Sequence, residues 1–177
     1  MITNIKIATI IVMALFYIVV GVAHFLNPDP FLLIVPPYLP YKLVLVYISG
    51  FFEIFFGFLM LMIVCHELIM RFNNPNLFRR SVFKNDCITK YKSFYSFGLI
   101  LLLIAVFPAN YYLYESDIAR ELYGSITKDQ AFIRMLFQPL LIITAYWHGH
   151  TINDVRINFT FLLISIITIV YFTWILI

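Results

Sequence analysis

Long apolar runs separated by shorter polar segments dominate the pattern of this chain. A helix needs about 20 apolar residues to cross the ~30 Å hydrocarbon core of a bilayer, because it rises about 1.5 Å per residue. Five runs approach that length, and the fourth of them is the shortest and contains Gln138-Pro139. The pattern predicts spans at about residues 7–26, 42–64, 94–114, 132–147 and 157–177. We therefore expect an all-α, polytopic transmembrane helical bundle, with residues 1–177 forming a single transmembrane domain.

A short apolar segment, residues 31–35, lies between two proline-rich stretches that separate the first two predicted spans. Asp29 is placed to cap a helix N-terminus and Pro30 to be its first residue, while the prolines from Pro36 onward end any helix. The segment is too short to cross a membrane. We expect it to lie in the membrane interface or to be tucked back against the bundle.

The composition excludes a water-soluble domain, because only 12% of the residues are charged and 63% are hydrophobic. Soluble domains carry about 25% charged residues. No aromatic–basic alternation or glycine-rich loop indicates a nucleic-acid partner. Cys65 and Cys87 form no CxxC pair. The side chains of His148 and His150 point in different directions on a helix, and both lie far from His24, which is near the opposite membrane face. The sequence therefore predicts a bilayer as the main partner and indicates no metal site.

Basic residues are concentrated in the segment from His66 to Lys92, which follows the second span and is predicted to be a loop. Loops rich in Lys and Arg stay in the cytoplasm. The segment between the third and fourth spans carries four acidic residues instead. We therefore expect a cytoplasmic N-terminus, in a plasma membrane or bacterial inner membrane.

Glu53 places a carboxyl group near the middle of the second span. A charge at the bilayer centre costs about 2.5–3.5 kcal/mol, so we expect Glu53 to face the bundle interior, protonated or hydrogen-bonded to a neighbouring helix. Ser49, Gly50 and Gly57 share its helix face, where small residues allow another helix to approach closely. A purely structural hydrogen bond and a binding role both remain open.

Polar residues in three other spans fall in the same outer half of the membrane in this topology. Pro108 leaves the carbonyl of Ile104 without its helical donor, and that carbonyl needs a partner. A kink, or a hydrogen bond within the helix, is the structural alternative for each polar residue. Together they predict a polar pocket that opens toward the outer face. Its candidate residues are Glu53, His24, Asn110, Gln138, Ser49 and Arg134.

Short motifs lie in and between the first four predicted spans, and they occur in a fixed order along the chain. It comprises Gly21-Val22-Ala23-His24-Phe25, Asn27-Pro28, Val35-Pro36-Pro37-Tyr38-Leu39-Pro40, Ser49-Gly50 with Glu53 and Gly57, Phe107-Pro108-Ala109-Asn110, Arg134, Gln138-Pro139 and Trp147. In this order the chain resembles the DoxX-like family of small membrane proteins, over about residues 10–64 and 94–147. The resemblance implies a four-helix core at about 7–147. The helix at about 157–177 is additional to it, and the segment 66–92 is longer than the usual turn.

The resemblance implies a modest function, since the family includes a quinone-linked subunit of thiosulfate oxidation and membrane partners of redox enzymes. No nucleophile or catalytic constellation is recognisable, so the catalytic residues are unknown. We first expect an accessory scaffold that binds a lipid, a quinone or a partner subunit. The alternative is a membrane subunit of a quinone-linked oxidoreductase, in which His24 and Glu53 handle protons. A small transporter is the third possibility, because of the intramembrane carboxyl group.

Overall fold

The computed structural model describes residues 2–73, 86–152 and 154–176, and within these ranges the chain is helical without a strand. The predicted all-α fold is therefore confirmed. The helices of this part of the chain are α1 Ile2–Leu26, α2 Asp29–Ile34, α3 Lys42–Asn73, α4 Asp86–Glu115, α5 Asp117–Leu122, α6 Lys128–Gly149 and α7 Val155–Leu176.

Four of the described helices, α1, α3, α4 and α7, are long and apolar enough to cross a membrane. The protein is thus a multi-pass membrane protein. The predicted fourth span is α6, which has 22 residues but is more polar than the other four. Its polar side chains Gln138, Thr144 and His148 are buried within the bundle. A helix that turns such residues toward protein needs fewer apolar positions than one surrounded by lipid.

The long helices extend beyond the apolar runs that predict them. α3 continues to Asn73 and α4 begins at Asp86, so the prediction of a loop is wrong for residues 66–73 and 86–92. The reason is that hydropathy marks where the bilayer begins, whereas Lys and Glu are good helix formers that continue the backbone ladder outside it. An ion pair between Glu67 and Lys92 joins the two extensions. Residues 74–85 lie outside the described ranges, with Arg79, Arg80 and Lys84.

The five long helices pack as a closed ring in the order α1, α3, α4, α6 and α7, with α7 returning to α1. The most extensive contacts are those of α1 with α3 and of α4 with α6. A Cβ atom added to Gly50 would lie 2.6 Å from Cβ of His24, and one added to Gly57 would lie 2.9 Å from the carbonyl oxygen of Ala14. The small residues of α3 therefore permit the close approach that their spacing predicts.

The short segment after α1 forms α2, which packs against α3, α4 and α5. Ile34 and Val35 are buried there, so the segment is tucked back against the bundle. Its N-cap is Pro28, without a side-chain cap, and Asp29 lies in the first turn. The predicted start of this helix was one residue too late, because Pro30 is its second residue, and anywhere in the first turn a proline sacrifices no helical hydrogen bond.

The additional C-terminal helix α7 completes the ring between α6 and α1. Leu162, Ser165 and Thr168 are buried, and the ring of Phe172 lies 5.4 Å from that of Phe16 on α1. At the α6–α7 connection, Nε1 of Trp147 donates a hydrogen bond of 2.9 Å to Oδ1 of Asn158. α7 is therefore integrated into the same packing as the other four long helices.

Candidate functional site

A cavity of about 620 Å³ lies among α1, α2, α3, α4 and α6. Its lining is mostly apolar, with residues such as Phe16, Leu102, Val106 and Leu141. The structure brings all six sequence-predicted pocket residues to the wall of this cavity, namely Glu53, His24, Asn110, Gln138, Ser49 and Arg134. The polar residues that α1 and α3 contribute to the cavity are called the α1–α3 wall (Tyr17, His24, Ser49, Glu53). Those that α4 and α6 contribute are called the α4–α6 wall (Asn110, Arg134, Gln138).

On the α1–α3 wall, the imidazole of His24 is fixed by two contacts. Its Nδ1 lies 2.8 Å from the carbonyl oxygen of Val20, so that nitrogen carries the proton and donates it to the backbone. Its ring stacks on Phe31 of α2 with 3.7 Å between the ring centroids. His24 is buried, with a relative exposure of 7%. The second nitrogen, Nε2, is then an acceptor in the neutral ring.

Glu53 faces the interior as predicted, with only 13% of its side chain exposed. Eleven residues separate it from the start of α3, which places it about 16 Å along the helix. The expected hydrogen bond to a neighbouring helix is absent among the described residues: Nδ1 of His24 is 3.6 Å from Oε2, too far for a hydrogen bond. That nitrogen instead serves the backbone of its own helix, which is why the pairing fails.

Two buried polar atoms of the α1–α3 wall have no hydrogen-bond partner within the described part of the chain. They are Oε2 of Glu53 and the hydroxyl of Tyr17, a residue that is 4% exposed. Buried polar groups are nearly always satisfied in native proteins, so an exception indicates a strained or functional position. Tyr17 was not among the predicted pocket residues, although it shares the helix face of His24 two turns away. Ser49, by contrast, donates to the carbonyl of Val46 in its own helix at 2.9 Å.

The α4–α6 wall is a connected hydrogen-bond network. Nδ2 of Asn110 donates to Oε1 of Gln138 at 2.5 Å, and Nε2 of Gln138 donates to the carbonyl of Leu103 at 2.5 Å. Nε of Arg134 donates to Oδ1 of Asn110 at 3.1 Å. A single orientation of the Asn110 amide and a single orientation of the Gln138 amide satisfy all three hydrogen bonds. The side-chain amide of Gln138 reaches the helical turn that precedes Pro108, where it binds the carbonyl of Leu103, one residue before Ile104.

Arg134 has a second neighbour in Tyr123, which lies in the connection between α5 and α6. Nη1 of Arg134 donates to the Tyr123 hydroxyl at 2.7 Å, and the guanidinium lies 5.1 Å from the centroid of the same ring. Tyr123 also lines the cavity. Sequence reasoning missed it, because a tyrosine in a polar connection carries no periodic signal.

A separate polar cluster at the other end of the bundle is fully engaged in packing. His148 is 2% exposed and its Nε2 lies 3.2 Å from Oγ1 of Thr9, while the Tyr95 hydroxyl donates to the His148 carbonyl at 3.0 Å. His150 turns away and stacks on Tyr146 at 4.3 Å between centroids. The two histidines diverge as predicted. This cluster joins α1, α4 and α6 and does not line the cavity.

Comparison with known proteins bears on the α1–α3 wall. A family model described as a domain of unknown function, DUF8561, matches residues 13–67. This segment runs from α1 through α2 into α3 and contains all four residues of the α1–α3 wall. No curated protein and no solved structure matches the chain.

Proposed function

We propose that this protein binds an amphipathic small molecule, a membrane lipid or a quinone, inside its helical bundle and acts as an accessory scaffold. The observation that carries the proposal is one cavity of about 620 Å³ with an apolar lining and polar groups on two walls. Ligand sites in proteins have this character, with volumes of about 300–1,000 Å³ and a few polar groups that fix orientation. The unsatisfied atoms of Tyr17 and Glu53 support it, because a ligand can supply their missing partners.

We further propose that the chain is a DoxX-like protein with a cytoplasmic N-terminus in a plasma membrane or bacterial inner membrane. The motifs that carry the resemblance contribute His24, Ser49, Glu53, Asn110, Arg134 and Gln138 to the same cavity. The orientation is supported by the excess of Lys and Arg between the second and third spans. α7 extends the four-helix unit that the resemblance implies.

The proposed function is tested by identifying what the protein retains after purification. The protein is extracted in a mild detergent, washed extensively and analysed by native mass spectrometry and organic extraction. We expect one lipid or quinone molecule per chain. Ser49→Phe fills the cavity and should lose that molecule, whereas Val44→Phe, on an exposed position of the same helix, should keep it. Wild-type protein without a bound molecule, or equal retention by both variants, contradicts the proposal.

The alternative function is a membrane subunit of a quinone-linked oxidoreductase. It is favoured by one observation: three groups able to exchange protons, Tyr17, His24 and Glu53, line the cavity together. Quinone reduction consumes two electrons and two protons, so a partner redox subunit has to supply the electrons. A quinone as the retained molecule, reduced only when a redox subunit is added, would favour this alternative over a scaffold.

A further inference from the structure

We infer that the ligand of this cavity carries an anionic head group, a carboxylate or a phosphate on an acyl chain, that pairs with Arg134. The inference rests on the proposed ligand-binding function and specifies the chemistry of the ligand. It is drawn from the charge of the cavity wall rather than from the size of the cavity.

Arg134 is a charged group whose protein partners are all neutral among the residues that the structure describes. A guanidinium has five N–H donors. Its observed hydrogen bonds go to the amide oxygen of Asn110 and the hydroxyl of Tyr123. No described carboxylate lies within ion-pair distance of it, since the described ion pairs of arginine and lysine are Lys92–Glu67 and Arg120–Asp117. Arg134, which lines the cavity, therefore has no negatively charged partner in the described part of the chain.

Arg120 is a buried arginine with a structural role, and its contacts provide a comparison for Arg134. It is 6% exposed, forms an ion pair with Asp117 and donates to the carbonyls of Leu113 and Tyr114 at the end of α4. Its charge is thus balanced by a carboxylate and by the negative end of a helix dipole. Arg134 has neither, although it lies beside an apolar cavity, where an unpaired charge is costly.

The arrangement around Arg134 fits an anion with an apolar tail. Asn110 and Tyr123 hold the guanidinium in place and use two of its five N–H donors, which leaves three donors of a cavity-lining side chain for a ligand. Carboxylate and phosphate are the groups that accept paired N–H bonds from a guanidinium. Glu53 belongs to the α1–α3 wall beside His24, not to the Arg134 network. The apolar lining around Leu102, Val106 and Leu141 is suited to an acyl chain.

The test compares two probes with the same chain, one with an anionic and one with a neutral head group: a fluorescent polyene fatty acid and its methyl ester. Binding to the purified full-length protein is followed by probe fluorescence in the same detergent. We expect wild-type protein to bind the acid at least about tenfold more tightly than the ester, the difference expected of one charge-assisted pair. Competition by a saturated fatty acid and by a lysophosphatidic acid then distinguishes a carboxylate from a phosphate source.

The variants assign the difference to Arg134. Arg134→Gln should bind acid and ester equally, and Arg134→Lys should restore part of the preference for the acid. Arg156→Gln removes an exposed arginine outside the cavity and should behave as wild type. Thermal unfolding of each variant identifies loss of fold, in which case Arg134→Lys carries the test.

The possible results separate this inference from the proposed function. Equal binding of acid and ester by wild-type protein, or an acid preference that survives in folded Arg134→Gln, overturns the anionic ligand and leaves the amphipathic ligand intact. Failure of both probes to bind, together with no retained lipid or quinone, overturns the proposed function itself.

Discussion

His24 and Glu53 meet at the contact between α1 and α3 without a hydrogen bond between them. Nδ1 of His24 lies 3.6 Å from Oε2 of Glu53 but 2.8 Å from the carbonyl oxygen of Val20. The imidazole proton therefore goes to the backbone, and Oε2 stays buried without a partner among the described residues. An unsatisfied buried group costs folding free energy. Such a cost is usual where activity or binding needs a destabilised site.

Replacing Glu53 by leucine should leave the free energy of unfolding unchanged or raise it by up to about 2 kcal/mol, because the substitution removes an unsatisfied group. Glu67→Leu is the matched control in the same helix. It removes the partner of Lys92 and should lower the free energy of unfolding by about 1–3 kcal/mol. Equilibrium unfolding in mixed micelles measures both. A marked loss of stability in Glu53→Leu would show that the carboxyl group has a structural partner.

Replacing Gln138 by alanine should lower the free energy of unfolding by about 1–3 kcal/mol. The change leaves Nδ2 of Asn110 without its partner inside the bundle and removes the side-chain hydrogen bond to the carbonyl of Leu103. Gln130→Ala, which removes only the exposed capping box of α6, should cost about 1 kcal/mol or less. Unfolding of the two variants under identical conditions makes the comparison. Equal losses would mean that the α4–α6 network contributes no more than a surface cap.

Replacing Gly50 by alanine should separate α1 from α3 and lower the free energy of unfolding by about 1–3 kcal/mol. The new methyl group would lie 2.6 Å from Cβ of His24 and 2.9 Å from the carbonyl oxygen of Gly21. Ser49→Ala is the neighbouring control and should change stability by less than about 1 kcal/mol, because its hydroxyl bonds only within α3. Unchanged stability of Gly50→Ala would contradict the close helix contact.

Cysteine labelling in intact cells tests the predicted topology, with a membrane-impermeant maleimide in a Cys65→Ser background. Cys87 and an introduced Thr151→Cys should react only after the membrane is permeabilised. If the basic segment is cytoplasmic, Cys87 lies within it and residue 151, two spans later, lies on the same side of the membrane. Asp129→Cys, at the exposed start of α6, should react in intact cells. Labelling of Thr151→Cys from outside while Cys87 stays protected would show that α6 does not cross the bilayer. Labelling of Cys87 from outside would reverse the whole orientation.

The sequence identified six polar residues that the structure places at the wall of one cavity. A charged or amide side chain inside an apolar span must face the protein interior, because lipid cannot form hydrogen bonds with it. Glu53, Asn110 and Gln138 were identified by this rule, and the structure brings them to one cavity. Tyr17 and Tyr123 escaped it, because tyrosine is common both in apolar helices and in polar connections.

Helix ends were harder to predict than helix positions. The apolar runs located every long helix but stopped short of Asn73 and began after Asp86. Hydropathy measures where side chains prefer lipid, and the backbone hydrogen bonds that define a helix continue into water when the residues are good helix formers.

What the sequence determined by itself was the class of protein, the long helices found among the described residues and the set of polar residues excluded from lipid. Those features follow from the free energy of transferring each side chain from water to lipid, which depends on the residue type and not on its neighbours in the fold. Only the tertiary structure decided which polar groups pair: Gln138 with Asn110 and Leu103, Arg134 with Tyr123, and His24 with its own backbone instead of Glu53. Hydrogen bonds depend on distances of a few tenths of an ångström, and those are set by how the helices pack.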